Sequence, residues 1–245
     1  MLTLLLSAAV VLLASVLHAA TGFGFSILAV PLLLLLHAPW QAVQINLILS
    51  IALSLMMIPT TWKEVDRPLL WRLLPSSALG APLGLLLFLY GDADTFKTAI
   101  AFLILLLTGL LVLRLRFART PWRDTCSGVL AGAMTSAVGM GGVPLLVYLA
   151  GVDMPKATAR ATVLAFFTFI YSLALVLQMR FSAHPLQGWW LPAYLLPVAL
   201  LGVYIGKRLY PHLSQRFFSV AVYAVLLGNS AFLLVSVFTR TRLAH

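Results

Sequence analysis

The segment Gly139–Leu149, GMGGVPLLVYL, places three glycines and a proline inside a run otherwise apolar enough to cross a bilayer. Glycines let backbone N–H groups come close to a ligand, and a helix starting just after them aims the positive end of its dipole at the gap. The chemistry open to such a pattern is capture of an anion by main-chain donors. A broken helix at membrane depth must be buried in protein or line a wet cavity, because lipid cannot satisfy the freed N–H and C=O groups. An earlier stretch, TGFGFSILAVP, has the same character, with Gly22 and Gly24 ahead of Pro31. The candidate binding positions are therefore Gly22, Gly24, Gly139, Gly141 and Gly142.

Polar side chains follow the same duplication. APWQAVQIN (38–46) and MPKATARAT (154–162) align at a shift of 116, placing Pro39 on Pro155 and Asn46 on Thr162. A helix begins after each proline, and its first turns carry Gln44 and Asn46 in one case, Thr158, Arg160 and Thr162 in the other. Asn46, Thr162 and Arg160 join the candidate substrate-binding set. The planar guanidinium of Arg160 can bond two oxygens of an oxyanion; it reads equally well as an interfacial anchor reaching for water. His18, three residues before the first glycine stretch, is read as packing in preference to titrating.

The elements that must position these groups are membrane helices. The 245 residues are 62% hydrophobic and 9% charged, against roughly 25% charged in a soluble domain, and the mean hydropathy is +1.05. Apolar runs of about 20 residues, the length needed to cross the hydrocarbon, recur throughout. The net charge of +10 sits in short connectors such as RLRFARTPWR (114–123), where it reads as a topology signal and not as a nucleic-acid surface. The single cysteine, Cys126, makes no intrachain disulfide, and no Cys/His cluster has metal-ligand spacing, so no metal and no cofactor is expected. The amino-terminal run lacks a basic n-region and a small-x-small cleavage site, and reads as a span and not a signal peptide.

The chain is written twice. LLASVLHAATGFGF (12–25) lies on VLAGAMTSAVGMGG (129–142) at a shift of 117, and PSSALGAPLG (75–84) on PVALLGVYIG (197–206) at a shift of 122. The expectation is an all-α, polytopic helical bundle forming a single domain over 1–245. It has two repeated halves, about 1–116 and 124–239, and about eight transmembrane helices with glycine-broken or re-entrant segments. The expected elements are a helix at 2–20 and a broken piece at 21–36. Further spans follow near 41–62, 69–90, 98–115, 124–151 (broken), 157–179, 189–210 and 216–239. Gly80, Gly84, Gly202 and Gly206 read as close-packing positions. If each half crosses four times, Lys63, Arg67, Arg72, Arg114, Arg116, Arg119, Arg123, Arg180, Arg240 and Arg242 share the side of the termini. Lys97, Lys156, Arg160, Lys207, Arg208 and Arg216 then face the other side, a bias that favours cytoplasmic termini; an uncounted re-entrant crossing inverts this, and an odd number of crossings per half makes the repeats antiparallel.

The six acidic residues, Glu64, Asp66, Asp92, Asp94, Asp124 and Asp153, all lie in or beside predicted connectors. Cation pathways and carboxylate proton relays need such groups in the membrane, so the pattern disfavours both. There is no paired-acid constellation, no HExxH and no GxSxG in helical context, which argues against an enzyme.

These features resemble the TauE/SafE sulfite exporter (TSUP) family. The resemblance is carried by TGFGFSILAVPLLLL followed by AVQINLILSI, and by GMGGVPLLVYLAG followed by MPKATARATVLAFF, and it extends over essentially the whole chain. The second half departs from the first in its shorter glycine-to-proline spacing, so the two half-sites need not be equivalent. The resemblance implies export of sulfite, an organosulfonate or a related small anion across the bacterial inner membrane. The partners expected are that anion and the lipid bilayer, with homo-oligomerisation left open. A channel-like anion permease and a non-transporting membrane scaffold are the alternatives. If main-chain N–H groups hold the anion, Gly141→Val should abolish binding and Arg160→Gln should spare some of it.

Overall fold

The computed structural model describes residues 1–22, 24–90, 109, 118–152, 154–181 and 189–209. They form α1 (Leu2–Thr21), α2 (Gly24–Leu33), α3 (Pro39–Thr61), a 3-10 turn (Trp62–Glu64) and α4 (Arg67–Tyr90), then α5 (Pro121–Val138), α6 (Gly142–Gly151), α7 (Lys156–Phe181) and α8 (Trp190–Leu209). No strand occurs among the described residues. Five helices, α1, α3, α4, α7 and α8, are long and apolar enough to cross a membrane. The helices α2 and α6 have 10 residues each, about 15 Å or half a crossing. The spans read at 98–115 and 216–239 fall outside the described residues.

Local chemistry sets the helix ends. Pro39 opens α3 and Pro121 opens α5, positions where the missing N–H has no helical partner to lose. Thr120 Oγ1 accepts from Arg123 N at 3.3 Å at the start of α5, and Asp66 Oδ1 accepts from Leu69 N at 2.9 Å at the start of α4, each side chain satisfying a free helix donor. The two breaks fall at glycines with left-handed backbone, Gly22 (φ 81) after α1 and Gly139 (φ 72) after α5. Helices that end this way return their last N–H to the preceding turn: Gly22 N donates to His18 O at 2.7 Å and Gly139 N to Thr135 O at 2.9 Å.

Small residues bring helix backbones together. On α4, Gly80 and Gly84 face the carbonyls of Val129 and Ala133 on α5, while Gly128 and Gly132 of α5 face Ser76 and Ser77 of α4 so closely that a Cβ at any of them would overlap its neighbour. On α8, Gly202 packs on Leu12 and Ser15 of α1, and Gly206 on Val16 and Ala19. This is the small-residue packing expected of membrane helices, where close van der Waals approach replaces a hydrophobic driving force, and it bears out the sequence reading of Gly80, Gly84, Gly202 and Gly206.

The order of these contacts fixes direction. As numbering rises on α8 it rises on α1, and the same holds for α4 and α5, so each pair is parallel. Arg160, near the start of α7, reaches Ala19 near the end of α1. Asp66 N donates to Thr162 Oγ1, and Arg119 pairs with Asp66. One face of the bundle thus gathers the ends of α1, α3 and α8 and the starts of α4, α5 and α7; it is called the connector face below. Ser7 Oγ and His37 Nε2, 2.8 Å apart, lie toward the other end. This arrangement corrects the charge allocation made on four crossings per half. Arg160, Lys207 and Arg208 join Lys63, Arg67, Arg72, Arg119 and Arg123 on the connector face, and Arg180, at the end of α7, moves to the opposite one. The allocation failed because it treated each broken element as a completed crossing.

Candidate functional site

The first break joins α1 to α2. Gly22 faces α7: a Cβ there would lie 3.0 Å from Arg160 Cγ, and Arg160 Nη2 donates to Ala19 O at 2.6 Å. The half-buried Arg160 side chain thereby lies beside the break that leads into a half-helix. His18 is 1% exposed, its ring edge-on to Phe25 in the first turn of α2 at 6.3 Å between centroids. Neither ring nitrogen has a hydrogen-bond partner among the described residues. Ser26, in the same first turn, shares a 2.7 Å hydrogen bond with Tyr171 of α7. Gly24 packs tightly on Leu17, with 2.5 Å left for a Cβ against Leu17 Cγ.

At the second break, α5 gives way to α6. The Gly139 carbonyl accepts from Asn46 Nδ2 of α3 at 2.8 Å, so a side chain 93 residues away satisfies a group that the break frees. A Cβ at Gly141 would overlap Thr135 Oγ1 and lie 2.5 Å from Ala131 O, both on α5. One at Gly142 would lie 2.7 Å from Phe167 Cζ, and Phe167 stacks on Tyr171 at 4.8 Å. The start of α6 therefore meets an aromatic ring and its own preceding helix.

The eight residues singled out from the sequence do not form one cluster. Gly22 meets Arg160, Gly139 meets Asn46, and Gly24, Gly141 and Gly142 each pack on side chains. Thr162 is committed elsewhere: its hydroxyl donates to Thr158 O at 2.7 Å and accepts from Asp66 N at 2.9 Å. These two bonds brace the connector face. Arg160 Nη2 reaches the Ala19 carbonyl beside the first break.

Sequence reasoning missed two sets of residues. One lies on the connector face, where Asp124, in the first turn of α5, is fully buried. It pairs with Arg72 Nη1 at 2.8 Å, accepts from the Tyr148 hydroxyl, and has Arg119 Nε at 3.9 Å. Arg119 also forks onto Asp66 at 2.7 and 3.1 Å. That hydrogen bond holds the Asp66 carboxyl below the usual carboxylate range, with help from Leu69 N–H, and raises the Arg119 guanidinium in turn. A buried carboxylate in this position has no local sequence signal, since its partners lie 52 and 24 residues away. The other is Ser50 and Ser54 on α3, one and two turns beyond Asn46 and, like it, with no exposure; the i, i+4, i+8 spacing was legible. Among the described residues no group of His, Cys, Asp and Glu can hold a metal.

A helical bundle with two half-length helices entered at glycine breaks, a half-buried arginine at one of them and membrane-spanning neighbours is a multi-pass membrane transporter in class. The model of the sulfite exporter TauE/SafE family matches residues 7–233, and the chain belongs to that family, whose members are membrane transporters and not enzymes. No curated protein and no solved structure matches the chain.

Proposed function

We propose that this protein exports a small sulfur oxyanion, sulfite or an organosulfonate, across the bacterial inner membrane, and that the anion docks at the first break. The observation that carries this reading is the placement of the half-buried Arg160 beside Gly22, at the break that leads into α2. A guanidinium and a half-helix N-terminus add their fields at one point, and low-dielectric surroundings strengthen both. Family membership supports a sulfur anion. Gly22 and Gly24 let the backbone come close there, while Asn46 and Gly139 hold the second break closed.

Two repeated halves of opposite orientation supply the moving parts in this reading. Each runs as a long helix, a half-helix and two long helices: α1 to α4, then α5 to α8. The first helix of each packs on the fourth of the other, and Asn46 and Arg160 each reach across to the other half's break. Rocking of one half against the other alternates access, as in transporters with inverted repeats. The basic connector face is cytoplasmic by the positive-inside rule. An inside-negative potential then favours exit of a monovalent anion by about 2.3 kcal/mol per 100 mV.

The test is flux in proteoliposomes. Purified protein should move radiolabelled sulfite or a sulfonate, saturably, faster when a potassium diffusion potential makes the loaded side negative. Flux that fails to saturate would favour a channel-like permease, and absence of flux for every sulfur oxyanion tried would remove the proposal.

A further inference from the structure

Helices α1 and α2 form a hairpin. Ser7 Oγ of α1 and His37 Nε2, just past α2, lie 2.8 Å apart and tie its open end on the face away from the connectors. Its tip, the left-handed Gly22, lies toward the connector face against Arg160 of α7. A hairpin that starts on one side of the bundle thus comes nearest the other side where the arginine stands.

Arg160 closes that tip. Its Nη2 donates at 2.6 Å to the carbonyl of Ala19, in the last turn of α1, where the final carbonyls have no partner within their own helix. A cation there also answers the negative end of the α1 dipole. The neighbouring carbonyl, His18 O, accepts from Gly22 N at 2.7 Å, so adjacent carbonyls of the tip are held by one internal bond and one from α7. The closed tip carries a cost as well. The His18 ring is buried, and neither of its nitrogens has a partner among the described residues; an unpaired buried imidazole destabilises the state that buries it.

The Arg160 side chain is half-buried, so an anion arriving from the connector face meets the guanidinium without first entering the core. A carbonyl is a neutral acceptor, whereas an oxyanion is charged, and hydrogen bonds with an ionised partner are roughly twice as strong. Competition for Nη2 therefore favours the anion. We infer that Arg160 is a substrate-operated latch: the arriving oxyanion takes the donor that holds Ala19, and the tip of the α1–α2 hairpin is released. This rests on the reading of the chain as a sulfur-oxyanion exporter, and adds how its site is opened. A ligand shifts a conformational equilibrium only by binding one state better than the other. Here the released state offers Nη2 and the latched state does not. Release also lets water reach the His18 ring, which removes the cost of burying it.

Hydrogen–deuterium exchange resolved to the Gly22 amide tests the latch, on full-length protein in detergent with sodium sulfite or sodium chloride at matched ionic strength. Sulfite should speed exchange at Gly22 about tenfold, the worth of one hydrogen bond from a charged group. That arm needs no variant. Arg160→Ala should exchange fast with no sulfite present and gain nothing from its addition. His18→Phe, which stabilises the closed tip, should exchange more slowly than wild type, and Arg180→Ala, a cation lost from the opposite face, should match wild type. An anion that used only the other guanidinium donors would leave Ala19 held, and sulfite would then slow exchange at Gly22. That result, or no change, in protein that moves sulfite in proteoliposomes overturns the latch and leaves the exporter reading standing; so does wild-type exchange at Gly22 in folded Arg160→Ala. If no sulfur oxyanion is moved, the exporter reading fails and the latch fails with it.

Discussion

The two helix breaks are built from similar sequence and do different things. Both have a left-handed glycine and a 10-residue half-helix, and both receive a polar side chain from a distant helix. At the first, that side chain is a cation, and a serine and an imidazole stand in or against the first turn of the half-helix. At the second it is a neutral amide already engaged with the Gly139 carbonyl, and the half-helix starts against Phe167. Glycine at a break thus says that the backbone comes close to something. Whether that is a ligand or a neighbouring helix depends on the residue opposite.

The sharpest way to break this comparison is to remove the cation. Arg160→Ala should lower sulfite flux about a hundredfold, as expected when hydrogen bonds from a charged group to an oxyanion are lost. An equal loss from truncating any residue around the second break would erase the distinction. Gly142→Val comes next: its side chain must displace Phe167, so stability should drop by about 1–3 kcal/mol in thermal melts, with the apparent affinity of surviving transport unchanged. Gly141→Val should behave the same way through Thr135, which reassigns the effect expected from sequence to packing. Gly22→Ala places a Cβ on a left-handed residue and should lose about 1–2 kcal/mol, but here with a change in substrate affinity, because the methyl group presses on Arg160. His18→Phe removes an unpaired buried imidazole and should raise stability by about 1 kcal/mol; a fall in flux would make the imidazole a working part of the first break.

The smallest effect lies away from both breaks. Asp66 has its carboxyl lowered by Arg119, so its contribution to stability is complete above its unfolded value near 3.9 and is lost as pH falls through the lower folded value. Asp66→Asn should therefore lower the melting temperature slightly near neutrality, where the pair is intact, and converge on the wild type at the acid end, which flattens the profile between them.

Much of the fold was legible in the sequence because it depends on local or periodic features. Pro39 and Pro155 mark helix starts, Gly22 and Gly139 mark breaks, and Gly80, Gly84, Gly202 and Gly206 recur at small-xxx-small spacing. The site was legible only in its glycines and in Arg160. The partners of Asn46 and Ser26 lie 93 and 145 residues away, and no periodicity along one helix specifies which face of another it will meet. Thr162 shows the limit: internal alignment made it the twin of Asn46, but the connector between α3 and α4 presents it with a backbone N–H that Asn46 never meets.

The pairing of α1 with α8 also bears on how the chain is made. The helix that receives Gly202 and Gly206 is synthesised about 170 residues before its partner, an interval of roughly 10 to 30 s at ordinary translation rates. During it α1 must reside in lipid with Leu12, Ser15, Val16 and Ala19 facing no protein. Its span is the most apolar of the five, as a segment that inserts alone requires, whereas α8, the least apolar, arrives to a prepared groove. Birth order is thus written into the composition of the helices, and a nascent chain released before α8 emerges would leave that groove open to whatever membrane helix finds it first.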